Sequence, residues 1–287
     1  MSTKEYWDIT NSPHTKLKLE IYKKYLDSWC SIFKKQEWAK NVYIVDCFAG
    51  AGIYKDGNNF VDGSPIITAK TIKKFKSEKD FKVKCFFVEK DKKCFKKLYD
   101  LLQPYKEEVD FEVIYDDFNN AIKNILIEIG HKPTLFFIDP FGIKEVKKES
   151  ILAIVNKPGA KDILLNYINE GVIRIAGVTR KCMDKKVEEM TTKEIKTINN
   201  LLDFIGSECL DYIDSKDVEF LKYYVDYILK SNNKNVNEKN KLDVIAFDMP
   251  YPNKSDTIYY LLFASRNKNA VKIVSQVYAK SKEINLI

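Results

Sequence analysis

The stretch Val42–Gly52, with the sequence VYIVDCFAGAG, decides the fold class of this chain. Its first four residues form an apolar run, which is typical of a strand buried on both faces of a parallel sheet. Small residues follow at Ala49, Gly50 and Gly52. Small residues allow a bound ligand to approach the main chain closely. The stretch therefore predicts a buried strand that leads into a ligand-binding loop.

Four more apolar runs follow this strand, and helical stretches separate them. The runs cover residues 83–88, 111–115, 134–138 and 163–167. The helical stretches lie around 65–76, 91–103, 118–129 and 147–155, and an amphipathic helix at 15–35 precedes them all. Strands and helices in alternation imply right-handed crossovers, and hence a parallel sheet with helices on both faces.

This alternation stops after the fifth strand. Helical periodicity predominates at 175–240, and two further runs, at 243–247 and 258–264, predict strands before a terminal helix at 268–280. We expect a seven-stranded, mostly parallel sheet in which a late hairpin adds an antiparallel strand. The expected parts are a core at 1–174, a helical insertion at 175–240, and a strand pair and helix at 241–287 that complete the core.

Acidic residues follow four of the predicted parallel strands where each strand ends. They are Asp46, Glu89, the pair Asp116–Asp117, and Asp139. Ligands of an open parallel sheet bind outside the carboxyl ends of its strands, so these acids are expected to line one site. An acid at such a position can also cap the following helix, a role open to Asp117. Their order at consecutive strand ends favours the ligand site.

The position of Asp46 indicates a cofactor with a cationic end, because a carboxylate would repel a pyrophosphate. The loop contains G-x-G without the third glycine of a dinucleotide fingerprint, and the chain has no P-loop motif. The sulfonium and amino groups of S-adenosylmethionine fit this position. Glu89 is placed to accept hydrogen bonds from ribose hydroxyls, and Asp117 with Phe118 to meet the adenine.

We therefore expect S-adenosylmethionine as the cofactor. The residues expected to hold it are Asp46, Phe48, Ala49, Gly50, Gly52, Gly63, Ser64, Pro65, Glu89, Asp117, Phe118 and Asp139.

The segment Asp139–Gly142, DPFG, follows a strongly apolar strand. Amino-group methyltransferases place Asp or Asn here, then proline and an aromatic residue, to hold the amino nitrogen and stack on the base. Positioning supplies most of that catalysis. We expect Asp139, Pro140 and Phe141 to be catalytic, although D-P-x-G is also a good type I turn sequence. The second proline of the D/N-P-P-aromatic pattern is missing and the aromatic residue comes one place early, which leaves Asp139 as the expected amine acceptor.

The composition bears on whether the chain binds a metal, enters a membrane or binds a nucleic acid. Six cysteines occur without a C-x-x-C pair, alongside two histidines, so no metal site is expected. No window approaches 18 consecutive apolar residues, and residues 1–7 lack the apolar region of a secretory signal, so we expect a cytoplasmic protein that does not enter a membrane. The net charge of +7 permits a nucleic-acid partner but does not require one.

The chain resembles the three-Cys-motif partner family, a group of methyltransferase-like bacterial proteins, nearly from end to end. The segments with the greatest weight are Gly63–Pro65 and Asp139–Gly142, in this order. Others lie at 18–29, 43–52, 87–91, 117–119, 164–167 and 260–265. The resemblance implies a Rossmann-like, S-adenosylmethionine-dependent methyltransferase fold. It also implies a partner protein that carries three cysteines and is an iron–sulfur radical enzyme.

Three functions remain open at this point. The first is methylation of an amino nitrogen of a nucleic-acid base in DNA or RNA, and the second is methylation of a protein or small molecule. The third is a binding module that keeps the methyltransferase fold without catalysis. A nuclease in which Asp46, Glu89, Asp117 and Asp139 gather Mg²⁺ is disfavoured, because the sequence lacks a catalytic lysine in a compact motif.

Overall fold

The computed structural model describes residues 8–10, 12–75, 81–214, 217–230, 241–250 and 257–284. In this part of the chain the strands are β1 (Asn41–Asp46), β2 (Ile53–Asp56), β3 (Asn59–Asp62), β4 (Lys82–Glu89), β5 (Asp110–Tyr115), β6 (Thr134–Ile138), β7 (Lys161–Tyr167), β8 (Asp243–Pro250) and β9 (Thr257–Ser265). The α-helices are α1 (Pro13–Phe33), α2 (Ser64–Lys73), α3 (Lys92–Leu102), α4 (Phe118–Ile129), α5 (Lys148–Asn156), α6 (Asn169–Cys182), α7 (Thr192–Ile205), α8 (Asp217–Tyr223) and α9 (Lys268–Ile284).

Seven of the strands form one sheet in the order β5-β4-β1-β6-β7-β9-β8. The first five in chain order pair in parallel, and β9 runs antiparallel to both β7 and β8. This confirms the predicted Rossmann-like, mostly parallel sheet with a late antiparallel hairpin. The chain leaves β1 towards β4 and β5 and then returns to β6 on the other side of β1. The carboxyl end of β1 is therefore the topological switch point, where ligands of such sheets bind.

Helices cover both faces of the sheet because its strands bury side chains on both sides. All five residues of β6 are buried. Alternate residues point to opposite faces: Phe136 and Ile138 join a core with α4 to α8, and Leu135 and Phe137 join a core with α1, α2, α3 and α9. The apolar runs in the sequence come from this double burial.

The helices between β7 and β8 pack directly on the sheet. Helix α6 begins at Asn169, before the expected start of the insertion, and a π-helical turn at Tyr224–Leu229 follows α8. The Tyr167 ring of β7 lies 5.8 Å from Phe204 of α7 and 5.1 Å from Tyr224, measured between ring centroids. These helices thus share one core with the sheet. The division of the chain at 174 and 240 stays a prediction.

One pair of strands was not predicted. The antiparallel strands β2 and β3 form a separate hairpin between β1 and α2, where the sequence predicts no strand. Both are four residues long, and none of their side chains is buried, so they lack the apolar run that marked the strands of the main sheet. The sequence predicts a loop at residues 250–253 between the last two strands, and apart from Pro250 this loop lies outside the described residues.

Two further sequence expectations can be compared with the described part of the chain. No helix in it is both long enough and apolar enough to cross a membrane. All six cysteines are free thiols, and five of them are buried. Their burial agrees with cysteine acting as a small apolar side chain.

Candidate functional site

A cavity of about 270 Å³ opens at the switch point. This volume is close to the lower end of the range for small-molecule sites, roughly 300–1,000 Å³. Its lining comes from the glycine loop, the start of α1, the hairpin, the segment after β6, the end of β7 and β9. The residues that matter below are Ser12, His14, Thr15, Lys18, Phe48, Ala49, Gly50, Gly52, Tyr54, Asp139, Pro140, Phe141, Asn166 and Tyr259.

The glycine loop depends on glycine at two positions. Gly50 and Gly52 have φ angles of +62° and +82°, in the left-handed region that other residues rarely adopt. The main-chain N–H of Gly63 donates to the Gly52 oxygen at 2.7 Å, which holds the loop from behind. A Cβ at Gly63 would come within 2.8 Å of that same oxygen. The sequence thus favours glycine at all three positions for reasons of backbone geometry.

The predicted residues Gly63, Ser64 and Pro65 support the loop and do not line the cavity. Ser64 and Pro65 are buried in the first turn of α2. Proline suits that position because its missing N–H would have no partner in the helix. Their prediction as direct cofactor contacts is untested; in the structure they lie behind the loop.

Asp46 is fully buried beneath the loop. Its Oδ1 accepts a hydrogen bond from the Phe48 N–H at 3.3 Å, and its Oδ2 has no hydrogen-bond partner among the described residues. Burial raises the pKa of this carboxyl to about 7, although the Ser64 side chain and the Phe48 N–H act in the opposite direction. A buried acceptor without a partner is costly. Asp46 itself does not line the cavity, so its direct contact with a cofactor stays a prediction.

Glu89 ties the end of β4 to the glycine loop. Its Oε2 accepts from the Gly50 N–H at 2.8 Å, and its Oε1 from the Asp91 N–H at 2.6 Å. Burial raises its pKa, and these two hydrogen bonds partly offset the rise. Each carboxylate oxygen keeps a second lone pair, so Glu89 can still accept from a ribose hydroxyl.

A second, smaller cavity of about 20 Å³ lies beside Glu89. That volume holds about one water molecule. The side chains of Phe48 and Phe141 line both cavities and stand between them. Phe141 is 55% exposed. The two cavities therefore share part of their wall.

Asp117 and Phe118 have clear structural roles. Asp117 is the N-cap of α4, and its Oδ1 accepts from the Asn119 N–H at 2.9 Å. Phe118 is buried and lies 5.1 Å from the Phe48 ring, measured between centroids. Phe118 and Asp116 line the small cavity, whereas Asp117 does not. Contact between Asp117 and an adenine stays a prediction.

Asp139 is held by two side chains that the sequence did not assign to it. The Nζ of Lys18, on α1, lies 2.6 Å from Oδ1 and 2.5 Å from Oδ2 of Asp139. The Asn166 amide, at the end of β7, donates to Oδ1 at 2.8 Å. Lys18 is 5% exposed. Ion pairs buried to this degree are costly to desolvate, so this one is a candidate functional feature.

The sequence carried a signal for Lys18. It stands one, two and three helical turns before Tyr22, Tyr25 and Trp29, on the buried face of α1. A lysine within an apolar stripe is unusual, because lysine is almost never fully buried unless it is paired.

His14 and Asn166 add unpaired polar atoms to the cavity. Burial lowers the pKa of His14, and nearby Lys18 lowers it further, so the ring is neutral at pH 7. The Nε2 of His14 lies 2.9 Å from the Ser12 hydroxyl. The His14 Nδ1 and the Asn166 Oδ1 are buried without a hydrogen-bond partner among the described residues. Such atoms are the ones that a polar ligand would satisfy.

The segment after β6 is braced by Glu145. The Phe141 N–H donates to Glu145 Oε2 at 3.1 Å, and the Lys90 ammonium donates to Oε1 at 2.8 Å. Pro140 is buried beside it. These contacts fix the main chain next to Asp139, so DPFG forms an ordered segment at the mouth of the cavity.

The hairpin and the described residues before α1 form the outer wall. The Ile9 N–H donates to the Lys55 oxygen at 2.8 Å, and the Gly57 N–H donates to the Thr10 hydroxyl at 2.6 Å. Lys16 pairs with Asp56 at 2.9 Å. This wall places the start of α1, and with it Lys18, over the glycine loop.

The acids considered for a nuclease are not arranged around an ion. In the described ranges, no three His, Cys, Asp or Glu side chains come close enough together to hold a metal. Asp139 pairs with Lys18, and Glu89 with main-chain N–H groups. The arrangement instead resembles a cavity for an organic ligand.

No protein-family model and no curated protein matches the chain. Several solved methyltransferase structures are similar to the chain. DszA carbon methyltransferase matches at 12% identity over 79% of this chain and 47% of its own, with a TM-score of 0.37. Geranyl diphosphate methyltransferase, in complex with GPP and sinefungin, matches at 11% identity over 84% and 77%, with a TM-score of 0.34. Coclaurine N-methyltransferase, bound to N-methylheliamine and SAH, matches at 11% identity over 84% and 70%, with a TM-score of 0.33.

Likenesses at such low identity and TM-score do not assign a function to this chain. The chain spans less than half the length of the first of these structures. Any functional assignment therefore depends on the residues of the site itself.

Proposed function

We propose that this chain is an S-adenosylmethionine-dependent methyltransferase that acts on an amino nitrogen of a nucleic-acid base. The observation that carries the proposal is the cavity at the carboxyl end of β1, formed by the glycine loop, with Glu89 beside it and Asp139 at its mouth. A partner protein with three cysteines is part of the proposal, and its support is the family resemblance.

The residues present fit the cofactor in chemical terms. The Asp46 Oδ2 is a buried acceptor without a partner, which suits a ligand with a cationic centre. Glu89 has lone pairs left for ribose hydroxyls. Gly50 and Gly52 leave the main chain of the loop open to close approach. When bound, the cofactor supplies an electrophilic methyl group.

The chain's own contribution would be to position the acceptor. Lys18 and Asn166 hold the Asp139 carboxylate in one orientation at the cavity. A carboxylate offers about four lone-pair sites, and these two partners occupy three of them. One site remains to accept an N–H from an amino group. The exposed ring of Phe141, next to Asp139, can stack on a base.

Calorimetric titration with S-adenosylhomocysteine tests the cofactor site. Asp46→Ala and Glu89→Ala should each weaken binding by about 10- to 150-fold, because a hydrogen bond to a charged group contributes roughly 1.5–3 kcal/mol. Asp110→Ala, which changes an exposed acid at the opposite end of β5, is the matched control and should leave affinity unchanged. Unchanged affinity in both site variants would refute the site.

Transfer of a labelled methyl group from S-adenosylmethionine separates the acceptor classes. Bulk RNA, bulk DNA, protein and small-molecule extracts serve as acceptors, with Asp139→Ala as the comparison. Label on RNA or DNA that is lost in Asp139→Ala supports base methylation. Label on protein or small molecules supports the second function. Cofactor binding without transfer to any class, with the partner absent or present, supports the binding module.

A further inference from the structure

Lys18 lines the cavity, and its pairing with Asp139 does not use all of its hydrogen-bonding capacity. An ammonium group has three N–H donors. Two of them serve the Asp139 oxygens, at 2.6 and 2.5 Å. The Tyr259 ring lies 5.5 Å from Nζ and covers another side of the group. One donor is therefore available to a ligand.

Lys18 supplies the positive charge of the cavity lining. Among the described residues that line it, the other basic side chain is His14, which burial and Lys18 keep neutral. The hydroxyl of Thr15 stands one turn before Lys18 on α1, and that of Ser12, at the N-cap, stands nearly two turns before it. An anionic group in this cavity would meet Lys18 and these hydroxyls.

Asn166, the second side chain that binds Asp139, carries an acceptor that lacks a donor. The Asn166 side chain gives its N–H to Asp139, and its Oδ1 is buried in the cavity without a partner in the described part of the chain. A buried oxygen that lacks a donor and a cation with a spare N–H thus belong to two side chains that bind the same carboxylate. This pattern is complementary to a zwitterion that carries both an ammonium and a carboxylate group.

We infer that Lys18 binds the carboxylate of the cofactor's amino-acid end, and that Asn166 Oδ1 accepts from its ammonium group. Lys18 thereby links two tasks, because the same ammonium holds Asp139 in position for the methyl acceptor. This inference deepens the proposed function, and its test is chosen so that the two can fail separately.

The test compares two ligands that differ in the amino-acid end. S-adenosylhomocysteine carries it, and 5′-methylthioadenosine has the same adenosine and thioether without it. Calorimetry is done on the full chain, wild type and Lys18→Met. We expect Lys18→Met to weaken the binding of S-adenosylhomocysteine by about 10- to 100-fold, which is the effect of losing a hydrogen bond to a charged group. The affinity for 5′-methylthioadenosine should change by less than about threefold.

Lys23→Met is the matched control, since Lys23 is on the same helix but is exposed and does not line the cavity. It should leave both affinities unchanged. Lys18→Met alone leaves the Asp139 carboxylate buried without its cationic partner. The double variant Lys18→Met/Asp139→Asn removes that negative charge as well. It should reproduce the selective loss of S-adenosylhomocysteine binding if the single variant folds poorly.

Three outcomes overturn the inference. An equal loss of both ligands in the folded double variant would show that Lys18 acts only through structure. Equal affinity of the wild type for the two ligands would show that no amino-acid subsite exists, while leaving the cofactor site in place. Binding of neither ligand by the wild type would refute the proposed function, and the inference with it.

Discussion

Asp46 links ligand binding to pH at the scale of a single residue. Burial raises its pKa to about 7, so the group changes from neutral to charged as the pH rises through neutrality. A charged Asp46 attracts a sulfonium and a neutral one does not. The affinity for S-adenosylmethionine, which carries a sulfonium, should therefore depend on pH differently from the affinity for S-adenosylhomocysteine, which carries a neutral thioether.

The expected result is that the ratio of S-adenosylmethionine to S-adenosylhomocysteine affinity rises between about pH 6 and pH 8. The two ligands share the same amino-acid end, so its titration cancels in the ratio. Asp46→Asn keeps the shape of the side chain and should abolish the pH dependence of the ratio. Calorimetry with both ligands at several pH values measures this ratio. A ratio that is flat with pH in the wild type would mean that Asp46 does not sense the sulfonium.

Lys18 and Asp139 show how residues far apart in the chain form one unit. They are 121 positions apart and are joined by two contacts of hydrogen-bond length. Lys18 stands out in the sequence because it interrupts the apolar stripe of α1, and Asp139 because it directly follows a buried strand. Their pairing depends on α1 lying over the carboxyl edge of the sheet, which no local pattern specifies.

At the scale of elements, Asn119 connects three of them at the mouth of the site. Its amide donates to the Asp117 side chain at 2.8 Å and to the Glu145 oxygen at 3.0 Å. Its Oδ1 accepts from the Lys147 N–H and the Ser150 hydroxyl, both at 2.9 Å. The starts of α4 and α5 and the segment after β6 are thereby fixed to one another.

Asn119→Ala should lower the free energy of unfolding by about 2 kcal/mol, because it leaves several half-buried polar groups without their partner. Asn120→Ala is the matched control, since Asn120 is exposed one position further along α4 and makes one long contact, at 3.4 Å, with Asp116. Its effect should stay within about 0.5 kcal/mol. Urea unfolding of both variants provides the comparison. Equal effects of the two substitutions would contradict the role of Asn119.

The hairpin and the start of α1 act together as a second element-scale feature. The hairpin alone is too small and too exposed to be stable, since isolated two-stranded hairpins are marginal in water. Its hydrogen bonds to Ile9 and Thr10 and the Lys16–Asp56 pair attach it to the segment that carries Lys18. The wall of the site therefore depends on contacts between segments rather than on strand propensity.

At the scale of the whole molecule, the helices after β7 determine whether the chain unfolds as one unit. Phe204 of α7 is fully buried and lies 5.0 Å from the Tyr224 ring, measured between centroids. It belongs to the same core as Phe136 and Ile138 of the central sheet. Loss of its side chain should therefore destabilise the sheet as well as the helices.

Phe204→Ala should lower the free energy of unfolding by about 3–5 kcal/mol through the cavity that it leaves. Circular dichroism and tryptophan fluorescence should shift together, although Trp29 lies in α1 on the opposite face. Val187→Ala, at a side chain that is 67% exposed, is the control and should have little effect. Two separate transitions, with only one moved by Phe204→Ala, would instead support an independent insertion.

The sequence determined the main architecture and the edge of the sheet where the site lies. Doubly buried strands require continuous apolar runs, so β1, β4, β5, β6 and β7 could be found from local pattern alone. The acids at their ends followed from the same pattern, because the residue after a parallel strand must emerge at the ligand-binding edge. The positive φ angles of Gly50 and Gly52 explain why small residues marked the loop.

Only the tertiary structure decided which of these residues meet one another. It brought Lys18 and Asn166 to Asp139, placed Asp117 as a helix cap, and put Gly63, Ser64 and Pro65 behind the loop. The physical reason is that periodicity records how each element is buried. Ion pairs and hydrogen bonds between distant segments depend on how the elements pack together, and a one-dimensional pattern does not contain that packing.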